Sequence, residues 1–170
     1  MGRWSRQLAP LFLEFVGVRD GENVLDVACG TGSLSATLAK LTGASRIVGI
    51  DFSKGLIEYA RTQVADSRVS FELGDAQNLT YPDASFERCM ALLAVDHIPD
   101  APKATMEMRR VSKAAGVVAT TMWIVAPLMS FTAVFGMPRK RSIRQQNGPL
   151  RGGSRTVLPK HFQIFGKALV

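Results

Sequence analysis

With 170 residues the chain is long enough for one domain with a full core, and 46% hydrophobic residues with a mean hydropathy of +0.09 exclude a mainly disordered polypeptide. The formal net charge of +7 is unevenly placed: residues 1–122 hold all 14 acids and 13 of the 21 basic residues, while residues 123–170 hold the other 8 basic residues and no acid. The body of the chain is therefore near neutral and lacks the basic stripe with interleaved aromatics that specific nucleic-acid binding needs. Cys29 and Cys89 show no C-x-x-C spacing, and Arg3 and Arg6 precede no apolar core with a cleavage site. Reduced cysteines, no metal site, no secretory leader and a cytoplasmic setting are the expectations.

Residues 3–18 (RWSRQLAPLFLEFVGV) place Leu8, Leu11, Phe12, Phe15 and Val16 near helical spacing, with Pro10 suited to an early turn and Gly17 to the end. The rest of the chain is organised around the run from Glu22 to Gly32 (ENVLDVACGTG). Val24, Leu25, Val27 and Ala28 fit a buried parallel strand interrupted by Asp26; Cys29-Gly30-Thr31-Gly32 make a tight turn; Ser33 to Leu41 reads as a helix. Strand, glycine turn and helix set backbone N–H groups and a positive helix end beside a nucleotide-like ligand. Asp51 closes a second apolar run, Arg46 to Ile50, where a carboxylate can accept from both ribose hydroxyls. Ser35 stands where G-x-G-x-x-G would need its third glycine, and there is no G-x-x-x-x-G-K-[ST] loop, so the pyrophosphate fingerprints are missing.

Ser53 is a fitting N-cap for a helix over Lys54 to Val64, and Arg68 to Leu73 alternates as a third strand that runs into Gly74-Asp75-Ala76-Gln77. Pro82-Asp83 makes a turn before a fourth strand, Phe86 to Leu93, whose C-terminal loop (residues 94–100) carries Asp96 and His97. Ligands collect at such strand ends, and histidine can act as a general base near neutral pH. Adjacent side chains often point apart, however, so a hydrogen-bonded loop histidine is the preferred reading, with Asp96 the better site-facing residue. Ala101 to Ser112 is a helix with Arg109-Arg110 on a solvated face, Lys113 to Gly116 its stop, and Val117 to Met122 a fifth strand.

D-x-A-C-G-T-G followed by G-I-D-F-S resembles the first two motifs of the class I S-adenosylmethionine-dependent methyltransferases, and GRWSR resembles the start of a bacterial small-molecule subgroup (methyltransferase type 11-like). The usual family motif has glycine where this chain has Ala28. The resemblance implies a Rossmann-like, doubly wound parallel αβα sheet in strand order 3-2-1-4-5, with an incomplete or irregular C-terminal edge. It implies S-adenosylmethionine as cofactor, with Asp26, Ala28, Cys29, Gly30, Thr31 and Gly32 shaping the turn and the methionine end, and Asp51 on the ribose. By the same resemblance Phe52, Asp75, Ala76 and Gln77 sit around the adenine, and Trp4 and Arg6 border the methionine moiety. For each of these a packing or loop role is the alternative. The implied reaction is methyl transfer to a small organic acceptor. A truncated, non-catalytic cofactor-binding remnant and a Rossmann-type NAD(P) oxidoreductase are the alternatives.

The motifs divide the chain into a core over residues 1–123 and a divergent basic segment over residues 124–170. Ala114 to Pro138 contains no charge and on hydropathy is a membrane-span candidate, but its first third is needed as the fifth strand. The preferred reading continues with an apolar helix, Leu128 to Phe135, a polar basic loop over residues 139–155, and one edge strand near His161 to Phe165. The loss of family pattern there reads as a truncated or rearranged C-terminus, with an uncovered sheet edge, marginal solubility and weak turnover expected.

Overall fold

A computed structural model describes residues 2–123 and 162–169. Its elements are α1 (Gly2–Val16), β1 (Asn23–Val27), α2 (Ser33–Leu41), β2 (Arg46–Asp51), α3 (Lys54–Gln63), β3 (Val69–Leu73), β4 (Phe86–Leu92), a 3-10 turn (Val95–His97), α4 (Ala101–Val111), β5 (Ser112–Trp123) and β6 (Phe162–Leu169). The sheet order is β3-β2-β1-β4-β5-β6, with β1 to β5 parallel and β6 antiparallel to β5. The five-strand order read from the motifs is thus the observed one.

Alternation along each strand builds the two covered faces. Val24, Ile47, Met90, Val117 and Ala119 pack against Leu8, Phe12 and Val16 of α1 and Leu34 and Leu38 of α2. The intervening residues Leu25, Val27, Val48, Ile50, Cys89, Ala91 and Val118 pack against Ala104, Met108 and Val111 of α4. Asp26 falls on the α1/α2 face, which is why a carboxylate inside an apolar strand can meet the first turn of α2.

Three local expectations change. Pro10 lies in the interior of α1 rather than in its first turn, because the helix already begins at Gly2. The proline is exposed, so the Arg6 carbonyl that loses its intrahelical partner can be served by water. Lys113 to Gly116 does not separate α4 from a strand at Val117: β5 starts at Ser112 and absorbs the stop as a bulge. Phe86 faces Ser112 but Arg88 faces Val117. The tight chain path there admits only glycine at Gly116, whose added Cβ would lie 2.8 Å from the Lys113 carbonyl oxygen. Lastly, β5 is not an uncovered edge, since β6 pairs with it from Val117–Leu169 to Trp123–Phe162.

Residues 114–123 of the membrane-span candidate belong to β5, with residues 117–121 paired on both sides, and so cannot form part of a spanning helix. Among the described residues no helix is long and apolar enough to cross a membrane. The proposed helix Leu128–Phe135, the basic loop 139–155 and His161 lie outside the described residues.

Candidate functional site

The C-terminal ends of β1 to β4 open into one cavity of about 510 Å³. This is the usual size for a cofactor-sized ligand and the usual place in an open parallel sheet. Asp26 and Ala28 to Thr31 line it from the first strand end, Asp51 and Phe52 from the second, Gly74 to Gln77 from the third, and Leu92 to Ala94 with His97 from the fourth.

The turn after β1 is held largely by acceptors of the next strand. Cys29 N donates to the Ile50 carbonyl at 3.0 Å and Gly32 N to the Cys29 carbonyl at 2.9 Å. Gly30 N donates to Asp51 Oδ2 at 2.9 Å, while Ser53 N donates to Asp51 Oδ1, also at 2.9 Å. The N–H groups of Cys29, Gly30 and Gly32 are thus consumed within the fold. Each oxygen of Asp51 keeps further acceptor capacity toward the cavity, since a carboxylate offers about four lone-pair sites.

Ser35, read from sequence as a missing glycine, has a definite partner. It is fully buried, and both its N–H (3.1 Å) and its Oγ (2.6 Å) donate to Asp26 Oδ2. Gly32, the N-cap of α2, provides no side-chain cap, so the strand carboxylate supplies that acceptor from outside the helix. Asp26 is 1% exposed. Burial pushes its carboxyl up to about 7, the Ser35 bonds pull it down, and the neighbouring Asp51 charge pushes it up again. Burial, with the charges of Asp26 and Asp51 beside it, likewise pushes the Cys29 thiol up, so this cysteine is a packing residue rather than a nucleophile.

The two glycines of the turn have different tasks. Gly30 has φ +54° with no atom within 4 Å of an added Cβ, so it keeps the cavity wall open. Gly32, with φ +75°, lies outside the lining; its Cβ would come within 2.8 Å of Phe71 Cζ and 3.2 Å of Ala60 Cβ. It permits α2 to sit against the core, which is a correction to the expectation of a ligand-facing glycine. Ala28 has φ +53°, a left-handed conformation that accounts for the family's preference for glycine there.

On the far wall, Asp75 closes a side-chain turn on Gln77, accepting from its N–H at 2.8 Å and from Nε2 at 3.0 Å. Gln77 Oε1 accepts in turn from Asp100 N, tying this loop to the one after β4. Phe52, 79% exposed, and Leu56 form an apolar lip. Of the pair on the 3-10 turn, His97 lines the cavity and Asp96 does not, the reverse of the expected order. Their 3.9 Å separation is too long for a hydrogen bond.

The α1 residues also differ from expectation. Gly2 and Ser5 line the cavity, whereas Arg6 and the 42% exposed Trp4 do not. Ser5 stands three residues before Leu8 and seven before Phe12 on the buried stripe, a signal the sequence contained. Arg110, expected on a solvated face, instead clamps the turn before β4. Its guanidinium donates to the carbonyls of Leu79 and Tyr81 and to the carboxylates of Asp83 and Glu107. Among the described residues no cluster of three or more His, Cys, Asp or Glu could hold a metal ion.

A family model described as a methyltransferase domain matches residues 24–116, more than half of the chain. Methyltransferase GfsG of Streptomyces halstedii is 41% identical over 107 residues, covering 61% of this chain and 38% of that protein. The demethylmenaquinone methyltransferase of Symbiobacterium thermophilum is 32% identical over 119 residues, covering 67% and 46%. A solved putative S-adenosyl-L-methionine-dependent methyltransferase from Methanococcus maripaludis superposes with a TM-score of 0.62 at 27% identity, covering 68% of this chain and 54% of that one. The chain thus spans less than half the length of these two curated relatives. The matched segment runs from the first strand to the bulge of β5 and contains most of the cavity wall; the chain belongs to the methyltransferase domain family.

Proposed function

We propose that this domain binds S-adenosylmethionine across the ends of β1, β2 and β3, and that the protein carrying it transfers the sulfonium methyl group to a small organic acceptor. The observation that carries the reading is the charge of the cavity. Three acidic side chains, Asp26, Asp51 and Asp75, line it together with apolar walls, and among the described residues no lysine or arginine does. Such a surface favours a cationic nucleoside and repels a pyrophosphate. The consumed N–H groups of Cys29, Gly30 and Gly32 point the same way, because a dinucleotide site needs the N–H groups of its glycine turn free. The NAD(P) oxidoreductase alternative is thereby disfavoured.

Asp51 would accept from the ribose hydroxyls, Asp75 and the backbone beside it would meet the adenine edge, and Phe52 with Leu56 would cover its face. Ala28, Cys29 and Gly30, with Gly2 and Ser5 of α1, would border the methionine end. The sulfonium brings its own electrophile, so the protein's contribution is alignment and exclusion of water rather than a strong base. A small acceptor is supported by the demethylmenaquinone relative and by the near-neutral body of the chain.

Calorimetry with S-adenosylmethionine, S-adenosylhomocysteine and NAD tests the reading, repeated on Asp51→Asn. Binding of the first two, weakened at least tenfold by the substitution, is expected; tighter binding of NAD than of either would overturn it.

A further inference from the structure

The geometry leaves one acceptor in the cavity wall without a donor. Asp26 is 1% exposed in the middle of β1, and both of its hydrogen bonds fall on Oδ2, from the N–H and Oγ of Ser35. Oδ1 has no partner among the described residues, and the carboxyl lines the cavity. The second oxygen is not enclosed but is reached from the cavity, where it can take a donor or a cation.

Among the described residues that line the cavity, no lysine or arginine supplies a positive charge. On β2, Asp51 adds a second negative charge; the Cys29 thiol lies in the adjoining turn; β4 contributes Met90 opposite in register. The part of α1 at the cavity brings Gly2 and Ser5, α2 brings Ser33, Leu34 and the Ser35 hydroxyl, and across the cavity stand Asp75 and His97. Burial first, and the Asp51 charge in addition, favour the protonated form of Asp26 until a cation enters.

We propose that Asp26 is the residue by which this site reads positive charge: it holds a proton in the free domain and releases it to solvent when the cationic cofactor binds, so that the sulfonium compound is held more tightly than its thioether product. The step is a simple exchange. The carboxyl O–H breaks, one proton leaves to buffer, and the carboxylate is neutralised by the incoming cation. Product release follows from the same balance, because loss of the methyl group removes the sulfonium charge and lets the proton return. The inference rests on the S-adenosylmethionine reading and goes beyond it, in naming a protonation change as the source of discrimination. The position of the Asp26 carboxyl, near 7, puts the exchange in the range where it can be measured.

Calorimetry of the full chain at pH 6 and pH 8, each in two buffers of different ionisation enthalpy, counts the protons released. For S-adenosylmethionine, release approaching one proton at pH 6 and almost none at pH 8 is expected, with affinity rising about tenfold between them. S-adenosylhomocysteine should release fewer protons, so the preference for the sulfonium widens with pH. Asp26→Asn should abolish both the release and the widening. Ser35→Ala, which keeps the carboxyl but removes a bond that favours its charge, should move the pH response upward, and it keeps the test alive if Asp26→Asn fails to fold. His97→Gln should retain the proton release. Equal release by the two compounds, or a pH response unchanged in Asp26→Asn, would overturn the proposal while leaving cofactor binding intact. Binding of neither compound at either pH would instead sink the cofactor reading, and this inference with it.

Discussion

Gly30 and Gly32 are two residues apart and both left-handed, yet alanine at the two positions should cost very different amounts. At either site an L residue in that conformation costs about 1–2 kcal/mol, offset by about 0.4–1 kcal/mol from the stiffer unfolded chain. At Gly30 nothing else is added, because no atom lies within 4 Å of the new Cβ. Gly30→Ala should therefore lose only about 0.5–1 kcal/mol. At Gly32 the Cβ would stand 2.8 and 3.1 Å from two ring carbons of Phe71 and 3.2 Å from Ala60. Phe71 is buried among Ile57, Ala60 and Cys29 and has nowhere to turn. Overpacking of this kind adds about 1–3 kcal/mol, for a total near 2–4 kcal/mol against a typical domain stability of about 5–15 kcal/mol. Urea denaturation of the two variants beside the parent chain measures both losses. Equal losses would show that Gly32 is not a packing glycine and that the assignment of tasks within the turn is wrong.

Ala28→Gly removes the left-handed strain at φ +53° and should raise stability by up to about 1 kcal/mol in the same denaturation assay. The Asp26 carboxyl moves from 3.8 in the unfolded chain to about 7 in the fold, so between these values the folded state binds more protons and stability must fall as pH rises. That contribution is fully present below about pH 4, lost through pH 7, and at most about 4 kcal/mol; the difference between Asp26→Asn and the parent, followed from pH 4 to pH 8, should show it. Burial raises both thiols, that of Cys89 to about 12, so neither should react with a disulfide reagent at pH 8 until the chain is unfolded.

Much of the architecture was legible because its signals are local. The apolar runs ending in Asp26–Gly32 and Asp51, the span of α2 and the loop motifs at residues 74–77 all depend on neighbours in sequence. What escaped depends on contacts across the fold. Ser35 reads as a defect in a glycine pattern until Asp26 is brought beneath it, and Gly32 reads as ligand-facing until Phe71 is packed against it. Whether turn N–H groups are free or consumed is decided by Ile50 and Asp51 of the next strand, about twenty residues on. The placement of His97 rather than Asp96 at the cavity depends on a three-residue 3-10 turn, too short to carry a periodic signal. Pro10 misled through a general preference for early helix positions, which an exposed face can override.

A crystal structure of the chain grown with S-adenosylhomocysteine tests the central claim most directly. The expected density has its ribose at Asp51, its purine between the Phe52–Leu56 lip and the 74–77 loop, and its amino-acid end running past Ala28 to Gly30 toward Gly2 and Ser5. Density elsewhere on the sheet, or a nucleoside turned so that Asp51 touches no ribose hydroxyl, would contradict it.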